Sequence, residues 1–290
     1  MISFCTMRRS SLFTLALFLT LVSCNRNNTA PAAAPPPSAT ATTASSPPPA
    51  AAPASAAIPR ISYPSLAGNA SAYLATPPAA SGRKPAIIVI HEWWGLNDWV
   101  KQQADRFASQ GYVALAVDLY RGQVANDQET AHELSRALPE DRALADLKGA
   151  FEYLAKRDDV DPARIGVIGW CMGGGYSLGL TTNEPRLAAS VINYGRLVTD
   201  PATIAKIKTP ILGNFGALDK GIPPADVQAF DKALHAAGKT ADLKIYPDAG
   251  HAFINPNNKA GYVAADAADA NARIDRFFMQ TLKPGGGLAK

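Results

Sequence analysis

The chain has 290 residues, 47% of them apolar, and a formal charge of +4 from 28 Lys and Arg against 24 Asp and Glu. That apolar content is enough for the core of one large domain. No basic cluster occurs beyond Arg8-Arg9, which argues against nucleic acid as a partner.

Residues 1–24 have the form of a targeting segment, with positive charge at Arg8-Arg9 and a short apolar stretch from Leu12 to Val22. The stretch is shorter than the roughly 20 residues of a comfortable membrane span. Leu21-Val22-Ser23-Cys24 resembles the lipobox of bacterial lipoproteins. That resemblance implies cleavage before Cys24 and acylation of its sulfur. At roughly 0.8 kcal/mol per buried methylene, several acyl chains would hold the protein on a membrane. Asn25 is not the Asp associated with inner-membrane retention, so an outer-membrane location facing the periplasm is expected. Cys5 and Cys24 both lie in this segment, which leaves no disulfide framework and makes Cys171 the one free thiol of the processed chain.

Residues 25–57 are almost entirely Ala, Pro, Ser, Thr and Asn, with no periodicity, and read as a disordered, semi-stiff tether. The globular domain is expected over 58–284, with 285–290 a flexible tail. Ile58–Tyr63 and Ala70–Leu74, separated by Gly68-Asn69, read as a hairpin. Ala86–Ile90 is an apolar strand. Asp98 is placed as the cap of a helix running to Gln110, and Val113–Val117 is the next strand. Helices follow over Asn126–Leu138 and Glu140–Lys156, broken at Pro139. Ile165–Gly169 is a strand and a helix follows from Gly173. Ala188–Asn193, Ile211–Phe215 and Leu243–Tyr246 are further strands, with a helix at Pro224–Ala237 between the last two. Ala264–Leu282 closes the domain as a helix. This alternation implies an α/β fold: a mostly parallel sheet with helices on both faces and an N-terminal hairpin.

In such sheets sites lie beyond the carboxyl ends of the strands. That rule selects the loops after Ile90, at Cys171, after Phe215 and after Tyr246. The stretch Gly169-Trp170-Cys171-Met172-Gly173 has the form of a nucleophile elbow with Cys in place of Ser. A nucleophile on a sharp strand-to-helix turn needs neighbours without bulk, which Gly169 and Gly173 supply. The helix that follows points its N-terminus at the thiol and favours thiolate. Asp219 and His251 lie in the later loops, and the order Cys171, Asp219, His251 is that of the α/β-hydrolase fold. His251 is placed as the base and Asp219 as the group that fixes its tautomer. Asp226 and Asp248 are rivals to Asp219, and Asp118 is read as a loop anchor. Backbone N–H groups of Trp93 and Met172 are the expected oxyanion donors. Trp93 and Trp94 could exclude water and bind an apolar substrate, or could simply pack.

The motifs His-Glu-Trp-Trp-Gly-Leu-Asn (91–97), Asp-Leu-Tyr-Arg-Gly (118–122), Gly-Trp-Cys-Met-Gly-Gly (169–174) and Gly-His-Ala-Phe (250–253), with Gly-Tyr-Val-Ala (261–264), make the domain similar to the dienelactone hydrolase family over about Ile58 to Leu282. The resemblance implies hydrolysis of a lactone ring or carboxylic ester, with Cys171 as nucleophile, Asp219 and His251 as its partners, and Glu92 as a further carboxylate. In the family that glutamate contacts the resting thiol and helps form the thiolate when substrate binds. Trp94, Arg121 and Phe253 are placed as substrate contacts. The family grips a substrate carboxylate with a Ser just after the catalytic His and an Arg a few residues on; here Ala252 and Asn255 occupy that region. An uncharged ester or lactone is therefore at least as suitable as a charged dienelactone. No metal, no cofactor and a monomer are expected. The alternatives are a ligand-binding lipoprotein that keeps the fold without turnover, and a redox-active thiol protein, which has no second cysteine to resolve a sulfenic acid.

Overall fold

A computed structural model describes residues 60–78 and 82–283. The expected targeting segment with Cys24, the expected tether and tail, and the first two residues of the expected hairpin lie outside the described residues. Fifteen elements follow in order: β1 (Arg60–Ser65), β2 (Gly68–Ala75), β3 (Lys84–Ile90), α1 (Asp98–Ser109), β4 (Val113–Asp118), α2 (Gln128–Arg136), α3 (Glu140–Ala155), β5 (Val160–Trp170), α4 (Met172–Asn183), β6 (Ala189–Asn193), α5 (Pro201–Lys206), β7 (Ile211–Gly216), α6 (Pro224–Ala236), β8 (Ala241–Tyr246) and α7 (Ala264–Leu282).

The strands form one eight-stranded sheet in the order β1-β2-β4-β3-β5-β6-β7-β8. β1 and β2 form the antiparallel hairpin, and β2 runs antiparallel to β4. All other neighbours are parallel. The central strands are buried on both faces, as a parallel sheet covered by crossover helices requires. Their side chains alternate between two cores. Ile87, Val89, Ile168 and Val191 pack with α1 and α7, whereas Ala86, Ile88, Ile90 and Val167 pack with α3. A third cluster joins α4, α5 and α6 to β6 and β7 through Leu178, Ile192, Ile204, Phe215 and Phe230.

Several boundaries differ from expectation, each for a local reason. Asn97 rather than Asp98 caps α1, its Oδ1 accepting the Val100 N–H at 3.2 Å; Asp98 sits in the first turn and pairs with Lys101 at 2.9 Å. Asp127 caps α2, which starts two residues later than its composition suggests. The short α5, capped by Asp200 and opened by Pro201, carries too few residues for a periodic signal. β5 begins five residues earlier than its apolar run, because only its second half is covered on both faces.

Candidate active site

The carboxyl ends of β3, β5, β7 and β8 bring their loops together, and the backbone there is held in unusual conformations. Among the described residues four non-glycines have positive φ: Arg121, Cys171, Tyr194 and Ala252. They directly or closely follow β4, β5, β6 and β8. Such conformations persist only where surrounding structure imposes them, and they gather at functional sites.

Cys171 stands between β5 and α4 at φ 55° and ψ −120°. A Cβ on Gly169 would overlap the Gly173 carbonyl, and one on Gly173 would overlap the carbonyls of Ile90 and His91. The elbow therefore requires both glycines. The Cys171 N–H donates to Asn193 O at 3.0 Å, and its own carbonyl accepts from the N–H groups of Gly174 and Gly175 at 3.0 and 3.3 Å. α4 starts at Met172, directly behind the half-buried thiol.

Asp219 and His251 meet across two loops that are laced together. The Ala217 N–H donates to Tyr246 O at 2.8 Å and the Leu218 N–H to Ala249 O at 2.9 Å. His251 Nδ1 lies 2.7 Å from Asp219 Oδ2, while Asp219 Oδ1 accepts from Gly221 N–H at 2.8 Å and Ile222 N–H at 3.1 Å. An ionised carboxylate only accepts, so Nδ1 carries the proton and Nε2 is left for the thiol. Burial pushes the His251 pKa down, but the Asp219 bond and then the hydrogen bond and charge of Cys171 outweigh it and raise the value to about 10. Burial alone would raise Asp219; the His251 bond and charge and the two backbone donors instead hold it below the usual carboxylate range. The rivals Asp226 and Asp248 are exposed and make no bond to His251.

Glu92 is buried, as is His91 before it. The two oxygens of Glu92 accept from Tyr194 Oη at 3.3 Å and from Asn255 Nδ2 at 2.6 Å. Burial drives its pKa up to about 7, a rise that the Asn255 bond, the His251 charge and the Tyr194 bond restrain. No hydrogen bond joins Glu92 to Cys171 in this state. His91 braces the loop from below. Its Nδ1 lies 2.6 Å from Glu92 O, which can only accept, and its Nε2 accepts the Leu119 N–H at 3.2 Å. Burial holds the ring below its ordinary pKa, so it stays neutral in that one tautomer.

Among the described residues, neither the Trp93 N–H nor the Met172 N–H donates to another backbone group. Met172 opens α4, where the first N–H groups have no intrahelical acceptor. The Trp93 and Trp94 rings are half-buried and meet edge-on at 5.2 Å; Trp93 also meets His132 of α2 at 4.7 Å. Trp94 O accepts from Ala125 N–H, which ties this loop to the one after β4.

Two expected substrate contacts are placed otherwise. The Arg121 guanidinium binds Asp146, at 2.9 and 2.8 Å, and Asn69 O, at 2.7 Å. Phe253 has no exposure and packs against Tyr194 and Tyr246 at 5.7 and 4.9 Å. Its apolar ring completes the core under the His251 loop instead of lining the cleft.

Sequence reasoning also missed Tyr194 and Asn255. The Tyr194 ring stands edge-on to His251 at 5.3 Å while its hydroxyl binds Glu92. The rule that sites lie past strand ends would have found it had the end of β6 been included with the other four loops. In the sequence Asn255 stands out only as the lack of an arginine.

The chain matches the model of the Dienelactone hydrolase family over residues 70–282. A protein of Methylorubrum extorquens, provisionally named a carboxymethylenebutenolidase, is 34% identical over 234 residues, 76% of this chain and 80% of its own length. One from Escherichia coli strain K12 with the same provisional name is 35% identical over 233 residues, 76% of this chain and 85% of its own. A crystal structure from Klebsiella pneumoniae, provisionally described as a dienelactone hydrolase, superposes with a TM-score of 0.70 at 32% identity, covering 76% of this chain and 97% of that one.

Proposed function

The chain belongs to the dienelactone hydrolase family, and we propose that within it this protein cleaves an uncharged small-molecule ester or lactone through a thioester on Cys171. The observation that carries the reading is the His251 ring, held by Asp219 on Nδ1 at 2.7 Å, with its proton affinity raised by Asp219 and then by Cys171.

Sulfur attacks as thiolate, opposite an imidazole whose proton affinity is raised. The carbonyl oxygen of the substrate becomes an oxyanion, which the N–H groups of Trp93 and Met172 receive; such donors contribute about 3 kcal/mol each in a dry site. Collapse breaks the C–O bond, and His251 gives its proton to the leaving alkoxide. Water then loses a proton to His251 and attacks the thioester. The carboxylic acid leaves and thiolate returns. Asp219 stabilises the imidazolium in both halves. Glu92 takes the thiol-activating part that the family resemblance implies, and to reach the thiol it must leave Asn255.

The preference for an uncharged substrate rests on the donors near the site. The amide of Asn255 is spent on Glu92, and the guanidinium of Arg121 on Asp146. Hydrolysis of a panel of neutral and carboxylate-bearing p-nitrophenyl esters and lactones by the wild-type protein and Cys171→Ala tests both points. Turnover should be lost in the variant and should favour the neutral members.

We further propose that the protein is exported and anchored through acylated Cys24, on the outer membrane facing the periplasm. Labelled palmitate incorporated in cells by the wild-type chain, but not by Cys24→Ala, would support this.

A further inference from the structure

Beneath the elbow a file of buried polar side chains crosses three strands. Asn193 and Asn214 are register partners on β6 and β7, and neither has any exposure. Asn193 Nδ2 donates to Gly169 O at 3.1 Å, two residues before the nucleophile. Asn214 Nδ2 donates to Asn193 Oδ1 at 2.8 Å. Arg273, on α7 and nearly buried, donates from its guanidinium to Asn214 Oδ1 at 2.6 Å. Polar groups buried this deeply are tolerated only when each finds its partner.

The direction of this file follows from the chemistry of its ends. A carbonyl can only accept, so Asn193 must turn its amide nitrogen toward Gly169 and its oxygen toward Asn214. Asn214 must then give its nitrogen to Asn193 and its oxygen to α7. Arg273 has donors only. It makes the shorter of two contacts to Asn214 Oδ1, the other being the Tyr246 hydroxyl at 3.5 Å, which also lies 2.8 Å from Asp269 Oδ2, and so it supports Asn214 in the one orientation compatible with Gly169 O. The backbone of the same two asparagines serves the site directly: Asn193 O accepts the Cys171 N–H at 3.0 Å, and Asn214 O accepts the Tyr194 N–H at 2.8 Å. Both receiving residues are among the four non-glycines with positive φ. The side chains of the two asparagines thus lead to Gly169 O, and their backbone carbonyls hold the two strained positions that present the thiol and the Glu92 partner.

We propose that Arg273 is a positioning residue for the nucleophile. Through Asn214 and Asn193 it fixes the Gly169–Cys171 turn and Tyr194. The inference rests on the reading of Cys171 as the reactive group. A misplacement of about 1 Å at a reacting atom can lower a rate about a hundredfold, so a loosened elbow should show in the reactivity of the sulfur.

The test compares Arg273→Met, Asn214→Asp and Asp242→Ala in the full chain. Asn214→Asp has the same shape and keeps a partner for Arg273 but cannot donate to Asn193. Asp242→Ala removes the Arg273 ion pair, at 2.6 Å, while sparing the file. Two rates are read: alkylation of Cys171 by iodoacetamide, followed by mass spectrometry of its peptide, and p-nitrophenyl acetate turnover. Arg273→Met and Asn214→Asp should slow alkylation and kcat at least about tenfold with KM within about twofold, and Asp242→Ala should change neither by more than about twofold. Alkylation within about twofold of wild type in Asn214→Asp would overturn the proposal, and that variant decides if Arg273→Met does not fold. Absence of ester turnover in the unsubstituted protein would count against the hydrolase reading alone, because the alkylation rates still report on the file.

Discussion

The hydroxyl of Tyr194 donates to Glu92 Oε1 across 3.3 Å, and the two residues lie 102 positions apart. This contact links the loop after β3 to the loop after β6, and it places a carboxyl group of pKa about 7 one side chain away from His251. If Glu92 activates the thiol as a carboxylate, kcat/KM should rise through a limb near pH 7. Glu92→Gln should abolish that limb. Tyr194→Phe removes a donor that stabilises the charged form and should move the limb to higher pH. Rate profiles from about pH 5 to 9 check this. An unchanged limb in Glu92→Gln would remove Glu92 from the reaction.

The same carboxyl makes stability depend on pH. Its folded pKa is raised above the ordinary 4.5. The native state therefore favours the protonated form, a contribution fully present below about pH 4.5 and lost as pH rises through about 7. Glu92→Gln should be more stable than wild type by roughly 2–3 kcal/mol at pH 8, with the difference vanishing at acid pH. Urea unfolding at both pH values reads it. Equal stability at pH 8 would show that the charged form is better solvated than its burial indicates.

For Asp219→Asn the expected loss in kcat is at least about a hundredfold, since the neutral amide no longer holds the Nδ1–H tautomer or stabilises the cation. NMR titration should show the His251 pKa falling well below about 10, because its first favourable partner is gone. A His251 titration that does not move would mean that Cys171 alone raises it.

Arg121→Gln should leave the ratio of neutral to anionic substrate turnover unchanged and lower stability by about 3 kcal/mol. The substitution leaves the fully buried Asp146 without its close cation. A selective loss of anionic substrates would restore Arg121 as a substrate contact.

The elbow was legible in the sequence because steric need writes itself into glycines: Gly169 and Gly173 have no tolerable substitute. The strands were legible from their apolar runs. Tyr194, Asn193, Asn214 and Asn255 were not, because their parts come from partners on other strands or loops and no local pattern marks them. Phe253 was misread for the opposite reason. It sits in a site motif, yet the fold turns its ring inward. Arg121 lies beside the right strand end, but its charge is claimed by Asp146, a residue of α3 with no sequence link to it.

The most direct measurement is mass spectrometry of the Cys171 peptide after rapid acid quench of the protein turning over p-nitrophenyl acetate. An acetyl group on that sulfur, formed at least as fast as kcat and absent in Cys171→Ala, is the result expected. Steady hydrolysis with an unmodified Cys171, or undiminished in Cys171→Ala, would contradict the thioester route.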